Sequence, residues 1–594
     1  MKTVLRFFLP FWWQLLLILG LTSVGVWSSL QLPSLMANIV NNGIIGQDQS
    51  YLWKTGEWML VVTLIGSAAI VCVGFLVSRT VTGFSRNLRA AIFAKILSFG
   101  QHEINGFSTA SLITRSTNDV AQLERMWLMM LRMSLQAPIM AVGAIWNAWH
   151  QAANMTWTIG TGVAALFIVV ILLFIFVMPK FQIMQKLVDK LNLVSRENLT
   201  GLRVIRAFNN EKYEEKKFEA ANGDIMKVQL FVNRMLSLMQ PAVMLIFNGM
   251  LLLIIWVGAS AVNDGTTQIG NVMAFMQYAS QIMMSFMFLV MLMIFLPRAA
   301  VSSGRIAEVL KTKPVIQFPR KSAEAEDTSF ANGRIEFRDV TFSYPDAETP
   351  ILNDINFVAK PGQTTAFIGS TGSGKSTLIN LIPRFYDISA GEIAIDGVDV
   401  RELSAPDLIA KIGYVPQKGV LFSGTVESNI KYGAPDITDK EVKDVAKIAQ
   451  ADFIDELDGK FKARIAQGGS NVSGGQKQRL SIARALAKNP EILIFDDSFS
   501  ALDYKTDATL REALKPITRD KTVLIVAQRI STIKQAEQIV VLDEGRVVGK
   551  GTHYDLLNNC EVYQEIAKSQ FSESEMADEM AAAEKFAKTK KERK

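Results

Sequence analysis

The run Gly369-Ser370-Thr371-Gly372-Ser373-Gly374-Lys375-Ser376-Thr377 fits the pattern G-x-x-x-x-G-K-[ST]. An apolar strand (Ala366-Phe367-Ile368) precedes it and a helix (Leu378-Ile379-Asn380-Leu381) follows, the order a phosphate cradle needs. Glycines let backbone amides converge on phosphates, the helix N-terminus favours an anion, and Lys375 reaches the terminal phosphates. The Ser376 hydroxyl is the expected Mg²⁺ ligand. Further on, Ile492-Leu493-Ile494-Phe495 runs straight into Asp496-Asp497. Such a run reads as a buried strand delivering two carboxylates to a site at its C-terminal end. Asp496 can hold the metal of a bound nucleotide, and Asp497 stands where a residue would polarise an attacking water.

Other residues carry weaker signals. Tyr344 follows a strand and could stack on a base, or serve as a core or turn tyrosine. Gln417 ends a strand in Tyr414-Val415-Pro416-Gln417 and could approach the metal. Asn471-Val472-Ser473-Gly474-Gly475-Gln476 places small residues just before a helix at 477–488, with Ser473 as its cap. This second helix N-terminus also suits a phosphate. One nucleotide does not readily occupy two such helix starts in one domain, so the second is expected to meet the nucleotide of a partner.

The elements that must position these residues follow from periodicity. Residues 335–342 alternate as a strand does, and further strands are expected at 364–369, 411–415, 491–496, 522–527 and 538–542. Helical segments separate them, which predicts an α/β domain with a largely parallel sheet over 334–571. A charged linker at 311–333 precedes it. A tail from Ser572 runs from acidic (Glu573, Glu575, Asp578, Glu579) to basic (Lys585, Lys588, Lys590, Lys591, Arg593, Lys594) and reads as a charged, frayed helix.

The first half has a different character. Of 594 residues, 49% are hydrophobic, and they crowd into residues 1–310. No charge lies between Arg6 and Asp48, Glu57 and Arg79, or Arg132 and Lys180, and only Asp264 lies between Arg234 and Arg298. A polar break at His150-Gln151-Ala152-Ala153-Asn154 and a turn at 263–267 divide the longer stretches. Six transmembrane helices result, each long enough for the roughly 20 residues a bilayer requires. The N-terminal run has no small-residue cleavage site after it and reads as a retained span. Lys and Arg concentrate between spans two and three and between spans four and five, so those segments and both termini are expected in the cytoplasm. Within them, 108–123 and 198–208 show helical spacing, suggesting cytoplasmic extensions joined by short transverse helices; a solvated amphipathic surface is the alternative.

The sixth span carries Met273, Met276, Met283, Met284, Met287, Met291 and Met293 with Phe275, Phe286 and Phe288. Such side chains can repack around varied apolar ligands, or simply pack against helices and lipid. Arg132 lies near a span end, where snorkelling to the interface is expected, and Pro138 and Pro241 are expected to kink their helices. No span contains an acid, which argues against proton-coupled or cation-coupled transport. The net charge of +6 is explained by membrane-flanking loops, and two cysteines imply no disulfide framework.

Phosphate loop, Gln417, Val472-Ser473-Gly474-Gly475-Gln476, the Asp496 strand and Ser500-Ala501-Leu502-Asp503 occur in the order and spacing of ATP-binding cassette (ABC) transporters. With six preceding spans, nearly the whole chain resembles an exporter-type half-transporter. The resemblance implies that Tyr344 stacks on adenine and that Ser376, Gln417 and Asp496 surround Mg²⁺. It implies that Ser473, Gly474, Gly475 and Gln476 close on ATP held by the opposite subunit, that Asp503 links the two sites, and that the transverse helices couple them to the spans.

Two positions depart from the pattern. The family has a glutamate after Asp496, here Asp497, and a switch histidine where this chain has Gln528. Gln467 is a lesser departure, standing where many relatives carry glutamate. The chain's three histidines, His102, His150 and His553, lie elsewhere. The expectation is a multi-pass cell-membrane subunit of a heterodimeric exporter. It would contribute a degenerate ATP site and an intact signature to the partner's site, and move small amphipathic or apolar, multidrug-like compounds. A lipid or peptide exporter and an ATP-gated channel or regulatory subunit share every motif. A soluble ATPase acting on nucleic acid is excluded by the spans.

Overall fold

Apolar runs flanked by charge form long helices here because a backbone in hydrocarbon must satisfy its own amides. A computed structural model describes residues 2–323, 332–345 and 347–592. Within these, helical runs long and apolar enough to cross a membrane are Thr3–Ile45, Gln49–Leu97, Thr109–Thr200, Glu211–Asn263 and Ile269–Val290. The third is divided by a 3₁₀ turn, Ala153–Met155, entered through Ala152 in a non-helical conformation. That turn falls at the polar break, so the described runs hold six spans. Pro241 sits inside the continuous helix Glu211–Asn263. Pro138 lies just after a π turn, Met130–Ser134, whose widened ladder relieves the missing amide.

By contacts the chain divides into two units, Met1–Leu97 with Thr109–Thr312, and Ser98–Ser108 with Lys313–Lys594. In the first unit the spans pack through small residues. A Cβ on Gly66 would lie 2.3 Å from Ser28 Oγ, which donates to the Val62 carbonyl at 2.5 Å. The sixth span packs through Phe275, Tyr278, Ala279, Ile282 and Met283, and Tyr278 Oη donates to the Leu30 carbonyl at 2.9 Å. Met273 and Met284 are exposed, so the methionine stripe is split between helix packing and open surface. The Met291 and Met293 side chains lie outside the described residues. The segments at 108–123 and 198–208 contain short helices, Thr109–Ser116 and Leu202–Ala207.

The second unit is built on strands β1 (Ile335–Phe342), β2 (Leu352–Ala359), β3 (Thr364–Gly369), β4 (Ala390–Ile395), β5 (Val398–Asp399), β6 (Ile412–Val415), β7 (Gly424–Thr425), β8 (Arg464–Ile465), β9 (Ile492–Asp496), β10 (Thr522–Val526), β11 (Gln538–Asp543) and β12 (Arg546–Gly551). The main sheet has the order β12-β11-β3-β10-β9-β6, parallel except for β12 at the edge. A second sheet, β2-β1-β4-β5, is antiparallel. Of its strands the periodicity singled out only β1, because a bulge breaks the alternation of β2 at Asp354, whose φ is 51°, and β4 buries Ile393, Ala394 and Ile395 in succession.

β9 is apolar up to Asp496 because both its faces are buried. Ile492 and Ile494 enter the core shared with the antiparallel sheet, while Leu493 and Phe495 enter the core under the helices. Val526 of β10 is in register with both Phe367 of β3 and Asp496 of β9. β9 and β10 therefore end level, β3 continues past them to Gly369, and the site is assembled at these C-terminal ends.

Linker residues 324–331 lie outside the described residues. The linker before them packs on the second unit, with Phe318 under the Arg384 guanidinium at 4.8 Å and Ala323 N bonded to the Glu402 carbonyl at 3.1 Å. The tail differs from the expected frayed helix. Glu573–Glu592 is helical and docks through Met576, Met580 and buried Ala583, an i, i+4, i+7 stripe among the charges. The side chains of Lys588, Lys590 and Lys591, and all of Arg593 and Lys594, lie outside the described residues.

Candidate functional site

The phosphate loop starts at the buried end of β3 and leads into the helix Lys375–Leu381, which begins earlier than the apolar pattern suggested. Two glycines are required. A Cβ on Gly369 would lie 2.0 Å from the Leu542 carbonyl oxygen, and Gly374, at φ 94°, would strike Leu352. Lys375 Nζ is folded onto the loop, donating to the Gly369 carbonyl at 2.9 Å and the Ser370 carbonyl at 2.7 Å. Thr377 on the same helix meets the Tyr344 hydroxyl at 3.0 Å. The Tyr344 ring is half-buried, edge-on to Phe342 and Tyr386.

Ser376 Oγ donates to Asp496 Oδ1 at 2.9 Å, which brings together two predicted metal ligands from the ends of β3 and β9. Burial pushes the Asp496 carboxyl above its ordinary range; the Ser376 hydrogen bond opposes that rise and the Asp497 charge adds to it. Burial also lowers the Lys375 ammonium, against the attraction of Asp497 and Asp496. Hydroxyl and carboxylate oxygens in contact, with a lysine in reach, are the hard-oxygen donor set that a magnesium–triphosphate group suits. Among the described residues no cluster of three or more His, Cys, Asp or Glu side chains could hold a metal by itself.

Asp497 adopts φ 47°, a left-handed conformation that Asp tolerates better than most residues, and its amide bonds the Val526 carbonyl at 3.0 Å. Its Oδ2 accepts two amide hydrogen bonds, from Gln528 Nε2 at 2.8 Å and Gln417 Nε2 at 3.3 Å. The two residues that depart from the family pattern are thus bonded to each other. Sequence reasoning missed the next link. Gln570, at the end of the helix Glu561–Gln570, donates Nε2 to the Gln528 carbonyl at 2.7 Å and accepts Ile530 N on Oε1 at 2.8 Å. No local signal marks it, because the partnership spans some forty residues.

The remaining predicted residues lie at other helix starts. Ser473 caps the helix Gly474–Ala487 in a reciprocal box: its Oγ accepts from Gln476 N at 3.3 Å and its own N donates to Gln476 Oε1 at 2.8 Å. Ser473 and Gly474 are exposed, and a Cβ on Gly474 would meet nothing within 4 Å. Asp503 caps Tyr504–Leu514, and hydrogen bonds from the Thr506 side chain and then its backbone N hold the Asp503 carboxyl below the usual range. Among the described residues no hydrogen bond joins 473–476 or Asp503 to the phosphate loop.

Two family descriptions match this arrangement, "ABC transporter transmembrane region" over residues 15–286 and "ABC transporter" over residues 352–500. The chain belongs to the ABC transporter family, as a multi-pass membrane exporter with an ATP-binding domain on its cytoplasmic side. An uncharacterized ABC transporter ATP-binding protein of Mycobacterium tuberculosis is 42% identical over 93% of this chain and 95% of its own length. An ATP-dependent lipid A-core flippase of Hahella chejuensis is 30% identical, covering 88% of this chain and 89% of its own. The structure of a bacterial Atm1-family ABC exporter with ATP bound superposes with a TM-score of 0.78 at 25% identity, covering 97% of this chain and all of that one.

Proposed function

We propose that the chain is the degenerate-site subunit of a heterodimeric ATP-driven exporter of amphipathic or apolar compounds. The observation that carries this reading is the Asp497–Gln528 pair. A side chain one methylene shorter than glutamate, with Oδ2 already engaged by two amides, is poorly placed to take a proton from water beside a terminal phosphate. Gln528 offers no imidazole to share that proton. Loss of a positioned base costs about 10²–10⁴ in rate.

The binding half of the site is retained. Lys375 would meet the phosphate charge, and Ser376 and Asp496, with Gln417 beside them, would hold the metal ion. Mg-ATP, when bound, would supply the transferable phosphoryl group and a negative charge that both subunits could contact. The 473–476 cap, exposed at Ser473 and Gly474, would complete a partner's site, whose glutamate and histidine perform hydrolysis. A lipid-directed version of the same exporter is favoured by the relative named as a lipid A-core flippase.

Purified alone, the chain should bind Mg-ATP yet hydrolyse it about 10²–10⁴ times more slowly than when co-purified with its partner half-transporter, measured by phosphate release. Brisk turnover without a partner would falsify the heterodimer.

A further inference from the structure

A cavity of about 560 Å³ opens between the first three spans. Its apolar walls include Leu21, Ile70 and Phe75, and Thr22, Ser78, Arg132 and Gln136 enter it from the first, second and third spans. Arg132 has neither an ion-pair nor a hydrogen-bond partner among the described residues. No carboxylate occurs between Arg6 and Asp48, Glu57 and Arg79, or Arg132 and Lys180, the charges that bound the apolar runs of these helices. The guanidinium lies over Gly74, where a Cβ would come within 3.0 Å of Nη2. Thr22 is only 7% exposed and its hydroxyl oxygen is unpartnered. The orphan buried hydroxyl costs free energy unless a ligand satisfies it, and the exposed Arg132 guanidinium at the mouth of the same cavity offers an anion its N–H donors.

The level of the cavity narrows the ligand. From Arg132 to the outer turn at Ala153 the chain rises ~31 Å at 1.5 Å per residue, about the thickness of the hydrocarbon layer. Arg132 therefore stands level with the headgroups of the inner leaflet, while the apolar wall lies within acyl-chain depth.

We propose that this cavity binds an anionic amphiphile, a carboxylate or phosphate monoester on an acyl chain. Arg132 is its ion-pair partner, Thr22 and Gln136 supply hydrogen bonds, and the chain lies along Ile70 and Phe75. The proposal deepens the exporter reading by naming a substrate class, and as a statement about cargo it rests on that reading. Planar guanidinium pairs with carboxylate or phosphate through two parallel bonds, which a neutral alcohol of the same length cannot reproduce.

The test uses the full exporter complex in phosphatidylcholine nanodiscs at pH 8, with diazirine-bearing palmitic acid and the matching diazirine alcohol as probes. Label is mapped by mass spectrometry to peptides containing 21–26 and 70–78. The acid should label these peptides about tenfold or more above the alcohol, Arg132→Gln should reduce it to the alcohol's level, and Arg132→Lys should retain part of the excess. Gly74→Leu should also remove the excess by filling the space beneath the guanidinium. Mg-ATP binding by each variant verifies folding and is independent of the cavity, so failure here leaves the ATP-site reading standing. Equal labelling by acid and alcohol, or an excess unchanged in Arg132→Gln, overturns the proposal and leaves Arg132 as an interfacial anchor. ATP-driven accumulation of the acid in inside-out vesicles identifies the ligand as cargo. Labelling competed by phosphatidic acid without accumulation identifies a resident lipid bound by the same chemistry.

Discussion

Asp497 and Gln528 act as a pair. Because Gln528 Nε2 donates to Asp497 Oδ2, lengthening Asp497 alone pushes its carboxylate into the amide that now holds it. Replacing Gln528 alone leaves the short aspartate out of reach of the water. The expected outcome is strong coupling, read in a complex whose partner glutamate has been removed so that only this site reports. Asp497→Glu and Gln528→His should each change phosphate release less than about tenfold, and the double variant should raise it by more than the product of the two. Full recovery from Asp497→Glu alone would show that the amide contact plays no part.

At the scale of elements, the C-terminal helices determine where Gln528 stands. Gln570 grips the backbone on both sides of Arg529, and Lys534, just past that loop, pairs with Glu579 of Glu573–Glu592. Gln570→Ala removes two bonds to the loop, so the Ile530 amide should exchange with deuterium about tenfold faster, while the helix Gly474–Ala487 is unaffected. Unchanged exchange at Ile530 would remove Gln570 from its positioning role.

The same docking predicts a pH dependence. His553 is buried between Tyr563, whose hydroxyl lies 2.7 Å from Nδ1, and Glu579, 3.3 Å from Nε2. Burial depresses the imidazole below 6.5, against the pull of Glu579. The unfolded chain therefore takes up this proton first, and the stabilisation is complete above pH 6.5 and lost as pH falls. Burial raises the Glu579 carboxyl, but the bonds from Lys534 and His553 prevail and hold it below 4.5, so its contribution is lost only as pH falls further. Hydrogen exchange across 573–586 should rise between pH 7.5 and 5.5, corrected for intrinsic rates, and the rise should shrink in His553→Gln.

For the whole molecule, the proposed pairing of this chain with a competent partner predicts asymmetry between two ATP sites. Asp497→Ala in the complex should lower ATPase only slightly, whereas removing the partner's glutamate should cost about 10²–10⁴. Equal losses would make Asp497 a working base and this chain self-sufficient. The membrane half was legible because a bilayer imposes one long local rule, and the break at Ala153–Met155 fell where the polar residues interrupt it. The methionine stripe was less informative. Composition cannot distinguish Met283, packed in the helix core, from Met284, exposed one residue later, since only the helix's rotation among its neighbours separates them.

What the sequence determined by itself is whatever a short stretch of chain enforces. The phosphate loop follows a strand because glycines and a helix start must adjoin, and Asp496 ends a buried strand because the apolar run stops there. The same locality exposed the two departures, Asp497 and Gln528, as residue types out of pattern. Only the tertiary structure decided what those departures touch. It bonded them to each other through a left-handed turn, added Gln570 behind them, and placed an unpaired Arg132 against Gly74 across two spans. Each of these contacts joins residues far apart in the chain, and their partnership is set by sheet register and helix packing, which no local pattern encodes.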